Sequence, residues 1–324
     1  MKHTHLFIGL FLIQNIVFSQ DDTSRALAVI GRTDSVFTYG FINKKGEWVI
    51  PQKYTYYPSW QYTYTSYGYS EGVANVCIDT NWYFVDRNDK VITELRNIKF
   101  ASVLSCGLSL VCTEGWWDDR NFIYGYDHWG YVNIKGNMVI EPNLRAASDF
   151  KEGFAAIGIM SVSAGEAHIN KKGEIAFRFD HWCSNFDHGK AVRSIDMSET
   201  LVFDTFGNVL DSFSGQGMST SITDGVINVY YFDSCGFTDQ HGKILFDKYE
   251  SARNYNKTMT AVRISGQWGF MNKKGKVYID PQYEAAGDYS NGLVAVKKNG
   301  KWGFINKKGK IIIPFQFDYV EDFH

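Results

Sequence analysis

Short runs in which large apolar residues alternate with small or polar ones recur along the whole chain, as in Leu293-Val294-Ala295-Val296 and Trp302-Gly303-Phe304-Ile305. A period of two predicts strands and not helices. The breaks between runs carry turn chemistry. An Asn or Asp opens a turn at Asn43, Asp86, Asn133, Asn170, Asp204, Asp239, Asn272 and Asn306, and three residues later a Gly closes it in every case but Asp89. That pattern fits a type I turn followed by a left-handed position. Each such turn joins two strands, and a third strand stands upstream, ended in the last copy by Asn299-Gly300. One unit therefore reads as a three-stranded meander. Between units, large residues recur six apart (Leu144 and Phe150, Tyr249 and Tyr255, Tyr283 and Tyr289, Phe317 and Phe323), with Ala147, Ala252 and Ala286 midway. A small residue between two anchoring large ones predicts a tight corner.

The eight turns lie 33 to 37 residues apart from Asn133 onward and 43 and 47 apart before it, so the first units carry insertions. A fixed period of this size predicts an all-β fold: eight tandem antiparallel β-meander repeats in a curved array over residues 20–324. An open superhelix is favoured over a closed propeller-like ring. About 34 residues are few for a four-stranded blade of roughly 40 to 45, and no strand is evident that would close onto the first.

The pairs Trp129-Gly130, Trp268-Gly269 and Trp302-Gly303 make the chain resemble the WG-repeat family of bacterial proteins. Tyr39 and Cys235 replace the Trp before Gly40 and Gly236, and neither residue stands before His168-Ile169-Asn170. The resemblance implies tandem β repeats, often in exported proteins. It brings no reaction, cofactor or catalytic residue with it.

Composition narrows the function. Net charge is -2, with 33 Lys and Arg against 35 Asp and Glu, which gives none of the global positive field that nucleic-acid binding draws on. Residues 1–19 read as a signal peptide: Lys2, an apolar run from Leu6 to Ile13 too short for a membrane span, and Ser19 before polar Gln20. The expected location is thus outside the cytoplasm: periplasmic, cell-surface or secreted. Five cysteines form no C-x-x-C pair and read as small buried residues.

No motif that encodes its own mechanism is present, so no catalytic residue, metal or cofactor is expected. The nearest candidate, Asp180 to His188, holds His, Cys and Asp at close spacing but coincides with a corner. Lysine pairs at Lys44, Lys171, Lys273 and Lys307 share one turn position. They read as solvated residues that blunt exposed edges, with a basic ridge for lipopolysaccharide phosphates or an acidic partner as the alternative. The repeated Trp and Phe residues read as core. The two insertions read as contact surfaces. Tyr54 to Tyr69 brings Tyr57, Trp60, Tyr62 and Tyr64; Thr113 to His128 brings Trp116, Trp117, Asp118 and Tyr124. Rigid amphipathic rings mixed with hydroxyls suit recognition, and strand direction places both insertions at one rim. The expected function is a non-catalytic exported scaffold binding a protein partner in the cell envelope or outside the cell. Alternatives are a carbohydrate-binding module built on the same rings, or an enzyme whose site the sequence does not display.

Overall fold

The computed structural model describes residues 24–29, 37–56, 68–118, 123–159, 166–179, 183–195, 198–214, 218–231 and 233–323. The expected signal peptide, Tyr57, Trp60, Tyr62 and Tyr64 lie outside the described residues. The eight units form seven antiparallel sheets. In the last unit Leu293–Lys298 pairs with Lys301–Asn306, which pairs across the turn with the outer strand Ile311–Phe317. The turn matches its sequence signature. Gly309 N donates to Asn306 O at 2.9 Å, Asn306 Oδ1 accepts from the amides of Lys308 and Lys310, and Gly309 sits at φ +77°.

The three-stranded unit needs correction. Each corner crosses to the next unit and adds an inner strand to its sheet, so most sheets have four strands. Ala285–Ala286 pairs with Leu293–Lys298, Ser251–Ala252 with Thr260–Ile264, and Tyr69–Ser70 with Val73–Ile78. A two-residue inner strand is why about 34 residues suffice. Units vary at this place. In the third unit the outer strand runs straight on into the corner as Met138–Ala147, fusing two units into one seven-stranded sheet. In the fifth unit the inner strand shrinks to a single bridge, Cys183 to Arg193.

The same handover joins the two ends of the chain. The last corner, Tyr319–Val320, pairs with the first strand, Ala26–Val29. Asp318 N donates to Val29 O at 2.8 Å and Glu321 N to Leu27 O at 3.1 Å, repeating the bonds from Glu284 to Lys297 and from Gly287 to Ala295 inside the array. Side chains agree. The Gly309 turn rests on Ile279 of the seventh unit, and the Gly46 turn of the first unit rests on Ile313 of the eighth. Ala26, Ala28 and Ile42 share a core cluster with Phe304, Ile313 and Phe317. The preference for an open array is therefore corrected: the closing strand exists, supplied by a corner that sequence alone shows as a connection.

The core lies between neighbouring sheets, whereas the outer strands are half in water, with Val209 57 % and Ile311 50 % exposed. Trp82 and Trp129 are buried, but Trp268 and Trp302 only partly so, which corrects their reading as full core. No disulfide joins the cysteines, and four of the five are buried. Among the described residues no helix is long and apolar enough to cross a membrane.

Candidate functional site

Two regions stand apart from the repeat's own packing. One is the rim that carries the insertions. The second insertion is a continuation of a hairpin: Leu108–Asp118 pairs with Ile123–Asn133 from Asn133↔Leu108 out to Ile123↔Asp118. In the last unit the same hairpin spans only Leu293–Lys298 and Lys301–Asn306. The added register places Tyr124 opposite Trp117 and Gly125 opposite Trp116. The backbone of Trp116, Trp117, Asp118 and Tyr124 is thus brought to one ribbon tip. The first insertion leaves the outer strand Trp48–Tyr56 and re-enters at Gly68, before Tyr69–Ser70. Strand directions put these two ends at the edge where the hairpin tip emerges, as expected from the meander.

The other region is the inner wall, made by the corners. The residue before the second large apolar residue of a corner recurs as Asp149, Asn185, Ser221, Asn254, Asp288 and Asp322, and hydrogen bonds link three pairs of neighbouring corners at this level. Ser148 Oγ donates to Asn185 Oδ1 at 2.8 Å, Ser221 Oγ to Asn254 Oδ1 at 3.1 Å, and Asp288 N to Asp322 Oδ2 at 2.9 Å. Burial pushes Asp149 and Asp322 up to about 7, and it raises Asp288 and Glu321 too, the last two against the opposing pull of Arg253. Oδ1 of both Asp149 and Asp322 is buried without a hydrogen-bond partner among the described residues. Sequence reading missed this set, although a polar residue ahead of the second large apolar residue of these corners was visible in the repeat.

The described residues of the Asp180 to His188 candidate do not converge. Asp180, His181 and Trp182 lie outside the described residues. Cys183 turns inward, 3.2 Å from His168 Nδ1, while His168 Nε2 lies 3.1 Å from Ser184 O. Burial lowers His168 to about 4, so the ring is neutral. Its Nε2–H then donates to the carbonyl, and Nδ1 accepts from the thiol. Phe177 and Phe186 pack at 5.3 and 5.0 Å from the imidazole, which makes the pair a buried core contact. Asp187 and His188 turn outward. Burial works to raise Asp187, and bonds from His188, the Asp224 amide and Lys151 outweigh it, leaving the carboxylate below its usual range. Among the described residues no group of three His, Cys, Asp or Glu side chains is arranged to hold a metal ion.

A family model for the WG containing repeat matches residues 39–82, 129–158, 268–302 and 302–324. The chain carries WG repeats. Among curated proteins none matches it in sequence. The crystal structure of BamB from Moraxella catarrhalis is similar in fold at 11% identity, TM-score 0.50, over 87% of this chain and 92% of that one. A eukaryotic initiation factor (10% identity, TM-score 0.47, 93% and 97% covered) and the C-terminal WD40 domain of Sif2 (12%, 0.45, 92% and 87%) are more distant likenesses. In the WG repeats the glycine has a definite task. A Cβ on Gly269 would meet Ile279 O at 2.6 Å, and one on Gly130 would meet Ile140 O at 2.5 Å, so the glycine admits the outer strand's backbone. The five units with this glycine show two breaks of register there, and the three without it, at Tyr83, Ala167 and Leu201, show one.

Proposed function

We propose that this WG-repeat array is a non-catalytic, exported scaffold that binds a protein of the cell envelope at the rim carrying the two insertions. The observation behind this reading is the hairpin ladder that continues to Ile123↔Asp118, beyond any pairing its own sheet uses. Regular repeat packing does not call for that extension, whereas an extended ribbon bearing Trp116, Trp117 and Tyr124 suits partner contact. The neighbouring segment with Tyr57, Trp60, Tyr62 and Tyr64 enters and leaves at the same edge. The same residues favour a carbohydrate ligand as the second reading, since aromatic faces also stack on sugars.

A pull-down from envelope extract with the full chain, set beside the Trp116→Ala, Trp117→Ala double variant, tests the proposal. Capture of a defined protein by the parent and its loss in the variant is the expected result. Equal capture by both would remove the rim from the account, and binding on a glycan array that the variant loses would replace the protein by a sugar. Export is checked by mass spectrometry of protein from its host, which should show an amino terminus near Gln20.

A further inference from the structure

Joining the chain ends makes neighbours of the seventh, eighth and first units, and these hold three of the four lysine-pair turns. The turns at Asn272 and Asn306 both read Asn-Lys-Lys-Gly-Lys, and the one at Asn43 reads Asn-Lys-Lys-Gly-Glu. Eight lysines thus stand against the single carboxylate of Glu47, which already accepts from Asn43 Nδ2. Lys273, Lys274, Lys276, Lys307, Lys308 and Lys310 are exposed, and none has a carboxylate partner among the described residues. Elsewhere on this edge the charge is mixed: the fourth unit keeps Lys171 and Lys172 beside Glu174, the third has Lys135, and Arg87, Lys90 and Lys243 stand beside the carboxylates of their turns. The turns of the second, fifth and sixth units open with Asp86, Asp204 and Asp239, and the fifth has Phe206 at the place of a lysine. The corner turns add Glu71, Glu152, Asp187 and Asp224 along the second to sixth units. In a protein of net charge -2, the turn lysines least offset by carboxylates thus lie on one arc.

Outer strands begin with exposed apolar side chains all along the array, as at Val91, Val209 and Ile244, and on this arc they stand beside the lysines: Ile311 at 50 %, Tyr278 at 38 %, Trp48 at 36 % and Val49 at 38 %. Trp48 also packs edge-on against Phe317 across the seam. Lysines flanked by Trp, Tyr and aliphatic residues make up the chemistry of an interfacial membrane surface, in which the cations meet headgroup phosphates and the apolar groups enter the acyl boundary. A nucleic acid would use the cations but has no use for Ile311 and Val49. We propose that this arc docks the protein on an anionic lipid bilayer. It lies on the edge opposite the insertions, so both rims can be occupied together.

Sedimentation with phosphatidylglycerol vesicles tests this, with phosphatidylcholine vesicles and heparin as comparison probes. Binding to phosphatidylglycerol, weakened by salt and absent with phosphatidylcholine, is expected. Removing charge with Lys273→Ala, Lys274→Ala, Lys307→Ala and Lys308→Ala should weaken it about fivefold per lysine. Ile311→Ser should weaken it several-fold at unchanged charge, while Lys171→Ala with Lys172→Ala, on the far side, should leave it as it was. Thermal melts of each variant report folding. Equal binding to both vesicles, no response to the four-lysine variant, or an equal loss from the Lys171 pair would overturn the proposal. Heparin binding as tight as vesicle binding, with Ile311→Ser without effect, would replace the bilayer by a soluble polyanion.

Discussion

Single residues decide how closely backbones approach and how the ring responds to pH. Gly269→Ala sets a methyl against Ile279 O, so a loss of roughly 1 to 3 kcal/mol is expected in denaturant unfolding. Leu201→Gly, at the same place in a unit without the second bulge, lacks that backbone clash in its parent and tests a different cost, the loss of a side chain. Asp149 illustrates charge. Burial holds its folded pKa at about 7, above the ~3.9 of an unfolded chain, so between those values the folded protein keeps a proton that the unfolded chain has lost. Its contribution to stability therefore falls as pH rises through that window. His168, lowered to about 4, acts in the opposite sense and costs stability as pH falls below about 6.5. Comparing variant with parent at one pH separates them: Asp149→Asn should raise the melting temperature at pH 8 and leave it nearly unchanged at pH 4. A lower melting temperature at pH 8 would show that the ionised carboxylate is stabilising.

Elements were unevenly legible in the sequence. The turns at Asn272 and Asn306 and the strands around them could be read directly, because a polar opener, a closing glycine and a period of two each have a local cause. The inner strands could not. Ala285–Ala286 and Tyr319–Val320 are two residues long, too short for any alternation, and they become strands only because the next unit offers an edge. The half-buried state of Trp268 was hidden for a related reason: its strand faces a neighbour, but the ring reaches the sheet's margin, where the Arg253 guanidinium lies 5.8 Å from its centroid. Trp268→Ala should accordingly cost about 2 kcal/mol, less than the ~3 to 5 of a fully buried large aromatic. The hairpin tip extends past its sheet, so Trp116→Ala with Trp117→Ala should leave the melting temperature within about a degree or two of the parent, a shift of the size surface changes give. A large drop there would make the hairpin a packing element instead of a contact surface.

At the scale of the molecule, joining the ends changes what the repeat means. An open array would leave its first and last sheets with one bare face each, whereas here Ala26, Ala28 and Ile42 cover Phe304, Ile313 and Phe317 much as one internal unit covers the next. It also turns lysine turns far apart in the sequence into one arc. Removing residues 318–323 should uncover both sides of the seam and lower the melting temperature by far more than fraying of a terminal unit would. The most direct test is amide hydrogen exchange on the intact chain, read at Asp318 and Glu321, whose amides bond to Val29 O and Leu27 O. A joined ring predicts protection of these two amides comparable to that of Glu284 and Gly287, their counterparts inside the array. Exchange at the rate of a free chain end, with Glu284 and Gly287 still protected, would contradict it.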